Sequence, residues 1–156
     1  MKYLFSVCLL ASVCSHAFAD PPADPEKWYR ESYAPLWGKD PGSKIDKILA
    51  FYANAVAEHP PGGTAKLTSS TSWLREAMQG WLGDGWESSA LQDLVVDRIN
   101  ATTVSFKAAW RDRYANAADE LSCGWYLADY ENGAWIFTAY ADIDCAAHGF
   151  TLGDRS

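Results

Sequence analysis

The first apolar positions form one run, Tyr3 to Val13, interrupted only by Ser6 and Ser12 and preceded by Lys2. The run is too short to span a bilayer as a stable helix, and Ala17-Phe18-Ala19 behind it is a small-x-small cleavage pattern. Residues 1–19 therefore read as a secretory signal peptide, followed at 20–25 by a flexible Asp-Pro leader. Asp24 caps a first helix with Pro25 at its first position, and this helix reaches about Tyr33 before Pro35 stops it. Ile45, Ile48, Leu49 and Tyr52 then recur at helical spacing behind Ser43, a second helix. Val56 to His59 is a short strand closed by Pro60-Pro61-Gly62-Gly63, and Thr64 to Ser70 reads as a surface loop. Leu74, Ala77, Met78 and Trp81 mark a third helix that Gly83 ends.

From Trp86 onward the period falls to two. Val104, Phe106, Ala108 and Trp110 alternate with Ser105, Lys107, Ala109 and Arg111, and Leu121, Cys123, Trp125 and Leu127 form one side of the next strand. Asn132-Gly133 predicts a tight hairpin in which Glu131 faces Ala134, Leu127 faces Thr138, Trp125 faces Tyr140 and Cys123 faces Asp142. Helices first and a strand meander after them make an α+β domain, with the helices on one face of a curved sheet.

At 156 residues the chain suffices for one domain, placed at 26–145 with a C-terminal tail at 146–156. Its aromatic content, 14%, implies a large core, a lined cavity, or both. A formal net charge of -7 excludes the basic field that nucleic-acid binding needs. Beyond the first nineteen residues the only cysteines are Cys123 and Cys145, which in an exported protein suggest one disulfide; a zinc site with a histidine is the alternative, but no Cys-x-x-Cys accompanies them. A bend after Asp142 is needed to bring the two together. No second apolar span follows, so no membrane attachment is expected after cleavage. No dinucleotide, P-loop, zinc-protease or nucleophile-elbow motif is present, and no metal or cofactor is expected. Asn100-Ala101-Thr102 fits a glycosylation sequon.

The phrase from Ile48 to Gly62, in which a helix ending in Tyr-Ala leads to a strand that closes on an acid or histidine before proline, resembles the nuclear transport factor 2-like superfamily, in particular its SnoaL-like and ketosteroid-isomerase-like branches. The helix Trp73–Leu82 and the hairpin at Asn132-Gly133-Ala134-Trp135 fit the same order, and the resemblance covers about residues 24–145. It implies a cystatin-like cone: a curved antiparallel sheet closed by about three N-terminal helices around an apolar cavity. Members use that cavity as isomerases, cyclases, dehydratases, epoxide hydrolases or simple binding modules. In the isomerase-like branch a carboxylate before the proline is the general base; His59 stands there, and Tyr33 lies near the position of a first-helix hydroxyl. The second acid of that branch would fall around Gly124-Trp125-Tyr126, where there is none, which counts against ketosteroid isomerase chemistry.

The candidate chemistry follows. A histidine can serve as a general base, and His59 would look into the cavity if Ala55, Ala57 and His59 form the inner strand face; the plainer reading is a histidine at a strand end. Asp142 and Asp144 share a strand face and, with His148, offer an acid or a histidine-orienting group, or else a polar strand end running into a terminal loop. Trp37, Tyr52, Trp81, Trp110, Trp125 and Tyr140 are candidate ligand-binding rings, with Tyr33 beside them, or simply core. Arg111, Asp112 and Arg113 read as a solvated strand end. The function expected is an exported, secreted or periplasmic, protein binding a small apolar or aromatic molecule. The alternatives are a metal-free acid/base isomerase, dehydratase or cyclase using His59 with Tyr33 or Asp142, and a homodimer joined through the open sheet face.

Overall fold

A computed structural model describes residues 24–60 and 62–151. The signal-peptide reading of 1–19, residues 20–23 of the leader expected at 20–25, and the tail beyond 151 lie outside the described residues. The chain begins with helix α1 (Pro25–Trp28), where the Asp24 carboxylate accepts from the Glu26 and Lys27 amides at 3.0 and 3.3 Å. The helical path does not stop before Pro35. It widens into a π-turn at Tyr29–Tyr33 and tightens into a 3-10 turn at Ala34–Trp37, where Pro35 sits in the first turn and needs no amide partner. This carries Tyr29, Tyr33 and Trp37, four residues apart, into the interior together. A 3-10 turn at Pro41–Lys44 leads to α2 (Ile45–Leu49).

Tyr52, expected as the last position of the second helical stripe, instead opens β1 (Tyr52–His59). The stretch expected as a loop contains β2 (Lys66–Ser69), a short edge strand paired antiparallel with β1 from Ala55↔Ser69 to Glu58↔Lys66. The third helix, α3 (Ser70–Gly83), buries Leu74 and Met78. The meander follows as β3 (Trp86–Arg98), β4 (Thr103–Tyr114), β5 (Glu120–Glu131) and β6 (Ala134–Asp142). The α+β class holds, with one sheet of six strands in the order β2-β1-β6-β5-β4-β3. One pairing departs from an all-antiparallel sheet: β1 runs parallel to β6, because α3 and three long strands form the crossover between them.

Bulges bend this sheet into a cup. Along β3 the register with β4 slips between Trp86 and Ser88 and again between Leu91 and Asp93. The β5–β6 hairpin starts as the Asn132-Gly133 turn predicts, with Glu131 opposite Ala134, both turn residues having positive φ. Its register then slips between Leu127 and Ala128, opposite Thr138. Beyond the slip Trp125 faces Ala141 rather than Tyr140, Leu127 faces Ala139, and Gly124 rather than Cys123 faces Asp142.

The closed end of the cup is solid. Tyr29, Tyr33, Val104, Phe106, Trp135 and Phe137 are fully buried there, with the Tyr33 and Phe137 rings 4.8 Å apart. On the outer face Ala109 and Cys123 pack with Phe150, the one residue of the described tail that is buried against the sheet. The Cys123–Cys145 disulfide staples the start of this segment, with Cα atoms 5.4 Å apart. The Ile143 amide donates to the Cys123 carbonyl at 3.0 Å, which supplies the bend the pairing needs. Closing a loop of sequence separation 22 contributes on the order of 3 kcal/mol. A non-reducing digest should yield one peptide joined through Cys123 and Cys145. Cys145→Ser should lower the unfolding free energy in urea by about 3 kcal/mol; unlinked thiols at both positions would contradict the staple.

Candidate ligand cavity

The open end of the cup holds a cavity of about 390 Å³. Its walls come from Trp37, from Trp73 to Trp81 on α3, and from the ends of β1 and β3–β6 that meet at this side. Strand alternation decides which groups enter. On β4 the inward series Val104, Phe106, Ala108, Trp110 continues to Asp112, so the residue read as part of a solvated strand end lines the cavity. On β3 the first slip turns Ser89 inward beside it. Trp86 Nε1 donates to Ser89 Oγ at 3.0 Å, and Ser89 Oγ donates to Asp112 Oδ1. Burial raises the Asp112 carboxyl above its ordinary 3.8; hydrogen bonds from Ser122 and Ser89 pull against this, and neighbouring Glu120 adds to it.

On β6 the slip opposite Thr138 has the same consequence. Phe137 faces in before it, and Tyr140 and Asp142 face in after it. The Tyr140 hydroxyl donates to Asp142 Oδ1. Burial, then the Tyr126 and Asp142 neighbours, push the Tyr140 phenol well above its ordinary value, so it remains a proton-bearing donor. Gly124 lies opposite Asp142, and the Tyr126 ring folds back over it. A Cβ at Gly124 would meet Tyr126 Cε2 and Oη at 2.9 Å.

The expected site residues separate into two groups. Trp37, Tyr52, Trp81, Trp110, Tyr140 and Asp142 all line the cavity, with Trp81 at its mouth and 37% exposed. Tyr33 stands behind them, fully buried, its hydroxyl 2.6 Å from that of Tyr52. Trp125 pairs with Lys107 on the outer face of the sheet, outside the cavity, because β5 turns Gly124 and Tyr126 inward. His59 also lies outside it. The inner face of β1 is Val56 and Glu58, one residue out of phase with Ala55, Ala57 and His59, and His59 is exposed. Glu58, 8% exposed, takes the inward place beside Tyr140, with Lys66 Nζ 3.2 Å from its Oε2 but out of line for a hydrogen bond. Asp144 is no partner for Asp142. Strand β6 has ended, and Asp144 caps the turn Ala146–His148 through the Ala146 and Ala147 amides.

Three lining residues absent from the expected set are tryptophans or their partners: Trp73, Trp86 and Ser89. Trp37 is the hub of an indole wall, its ring centroid 6.0 Å from Trp86, 6.1 Å from Trp110 and 6.4 Å from Trp81. Trp73 stands apart against Tyr140 at 5.2 Å. The same lining carries the acids Glu58, Asp112, Glu120 and Asp142. Among the described residues no three His, Cys, Asp or Glu side chains are grouped to hold a metal ion. Indoles and acids with hydroxyl partners in one lining can hold a flat guest and exchange a proton with it.

Two outcomes test this geometry. Gly124→Ala should destabilise the fold by roughly 1–3 kcal/mol, and by much less in a Tyr126→Ala background, because the clash is with that ring. Asp112 holds its proton more tightly folded than unfolded, so it costs stability as pH rises from the ordinary 3.8 upward and nothing well below it. Asp112→Asn should therefore gain in urea midpoint relative to the parent chain on going from acid to neutral pH. An unchanged difference would contradict the buried placement.

No protein-family model and no curated protein sequence matches the chain. Solved structures do. An NTF-2 like protein of unknown function from Shewanella oneidensis superposes with a TM-score of 0.56 at 10% identity, over 74% of this chain and 93% of that one. A proposed polyketide cyclase from Xanthomonas campestris gives a TM-score of 0.50 at 16% identity, over 78% and 90%. A proposed scytalone dehydratase from Novosphingobium aromaticivorans gives 0.51 at 12% identity, over 70% and 74%. At such identities the likeness is one of backbone path. With its helix-closed, six-stranded cup, the chain has the nuclear transport factor 2-like fold.

Proposed function

We propose that this chain is an exported protein, secreted or periplasmic, that binds a small apolar or aromatic molecule in its indole-walled cavity without a cofactor. One observation carries the reading: five of the chain's eight tryptophans, Trp37, Trp73, Trp81, Trp86 and Trp110, line one hollow of about 390 Å³. That volume is within the range of about 300–1,000 Å³ usual for small-molecule sites. A fold whose only need was a solid core would place these rings as it places Phe106 and Phe137, with no space between them. Export is supported by the apolar leader with its small-residue cleavage pattern and by the Cys123–Cys145 staple, which suits an oxidising compartment. No described helix is long and apolar enough to cross a membrane.

A second reading, acid/base catalysis of dehydratase or cyclase type, is favoured by the serine-held Asp112 and the Tyr140–Asp142 pair in the same hollow. Its acids are Asp112 and Asp142 rather than His59. A protonated Asp112 would give its proton to a leaving oxygen as the C–O bond breaks, and the Asp142 carboxylate, held by the Tyr140 hydroxyl, would take the proton lost from the neighbouring carbon. Homodimerisation through the outer sheet face is left with what the docked C-terminal segment does not cover around Ala109 and Cys123.

Titration with neutral 2-naphthol should quench tryptophan fluorescence to saturation at one site. Trp110→Ala should weaken that binding about tenfold, as removal of a buried aromatic anchor does, while His59→Ala and Trp125→Ala leave it unchanged. Quenching without saturation, or sensitivity to Trp125 and not to Trp110, would contradict the reading. Turnover of a molecule that co-purifies, lost in Asp112→Asn with binding retained, would establish the second reading in place of the first.

A further inference from the structure

The cavity is one-sided in charge. Its lining carries the carboxylates of Glu58, Asp112, Glu120 and Asp142 and no lysine, arginine or histidine. The cations of the neighbouring strands lie outside this lining, the exposed Arg113 among them. Arg111 alternates to the outer face of β4, 4.0 Å from Asp119, and Lys107 lies 3.6 Å from Asp97. Lys66 compensates Glu58 from β2, which leaves Asp112, Glu120 and Asp142 without a basic partner in the lining. The upward shift of the Asp112 carboxyl, by burial and by Glu120, has the direction expected of a site short of positive charge. These acids are spread around the wall rather than gathered, since no three acidic, histidine or cysteine side chains among the described residues are placed to hold a metal ion. The same lining carries the indoles of Trp37, Trp86 and Trp110, with Trp86 joined to Asp112 through Ser89, and indole is the aromatic surface that attracts a cation most strongly. In the same lining Trp37, 7% exposed, keeps its Nε1 buried with no hydrogen-bond partner, a donor left for an oxygen of a guest.

We propose that the guest is an organic cation, an ammonium group on an apolar body, with its charge held by Asp112 and Glu120 and by the tryptophan faces. The inference rests on the reading that the cavity binds a small molecule, and adds the class of that molecule. A carboxylate or phosphate ester would face several acids with no counter-cation. A neutral hydrocarbon would gain from the indoles alone. A bare metal ion would find no chelating group of ligands. A bulky, weakly hydrated cation is attracted by the carboxylates and by the indoles at once.

The test is a matched set of probes of one shape: phenyltrimethylammonium, its neutral isostere tert-butylbenzene, and anionic benzenesulfonate, each titrated against the chain by tryptophan fluorescence at fixed ionic strength. The cation should bind about tenfold or more tightly than the isostere, and the anion should not bind. Asp112→Asn should cut cation affinity about tenfold and leave the isostere unaffected. Glu120→Gln, at an exposed strand end, should act in the same direction and serves if Asp112→Asn does not fold. Equal binding of cation and isostere, or any preference for the anion, overturns the cation assignment and leaves a binding cavity in place. Binding by none of the three removes the small-molecule reading itself.

Discussion

A strand gives each side chain one of two faces and no third, so what the sheet of this protein offers to its interior depends on where the strands slip. Between Leu127 and Ala128 the β5–β6 register gains one residue. Phe137 and Tyr140 can then both face inward on one strand, although three positions apart. Without that slip Ala139 and Ala141 would face inward and Tyr140 and Asp142 outward, and the cavity would lose its hydroxyl–carboxylate pair. The slips on β3 do the same for Ser89, which reaches Asp112 only because one residue between Trp86 and Ser88 has no partner. Each slip also bends its strand, so the features that aim the polar groups are those that curve the sheet around them.

The cup divides its aromatic residues by role. At the closed end rings meet rings: Tyr29 lies 4.9 Å from Phe106, and Tyr33 lies 4.8 Å from Phe137. Ring pairs in such geometries contribute roughly 0.5–1.5 kcal/mol each beyond their buried area. At the open end the rings line space instead. Strand β5 joins the two faces of the sheet. Its outer side carries Cys123, stapled to Cys145 and covered by Phe150, and its inner side carries Gly124 and Tyr126 at the cavity wall. A covalent staple directly behind the wall limits how far that wall can move.

What was legible in the chain was what repeats. The spacing of Leu74 and Met78 marks α3, the alternation from Val104 to Trp110 marks β4, and Asn132-Gly133 sets the turn and the first pairs of the hairpin. The bulges were not legible, since a slip is one unpaired residue with no composition of its own. Two errors about the site follow from phase. Taking Trp125 with Cys123 put it inward, when Gly124 and Tyr126 hold that face. Taking His59 as the inward residue missed Glu58, whose face is set by Val56 two residues before it. Strand β2 was hidden because Lys66 to Ser69 has no apolar alternation, its one large apolar side chain, Leu67, being exposed, and pairing with β1 rather than burial orders it. Asp112 was readable in principle. It extends the apolar series of β4 by one more inward step, but its arginine neighbours on either side suggested solvent.

The claim on which the rest stands is that the indole rings at the open end surround an occupiable space. Indole N–H resonances of the isotopically labelled protein test it directly, since each of the eight tryptophans gives one signal. Addition of neutral 2-naphthol should move the signals of Trp37, Trp73, Trp81, Trp86 and Trp110 together and saturably. Those of Trp28 and Trp135 in the core and Trp125 on the outer face should stay in place. Movement of Trp125 alone, or of no signal at any concentration, would contradict the account.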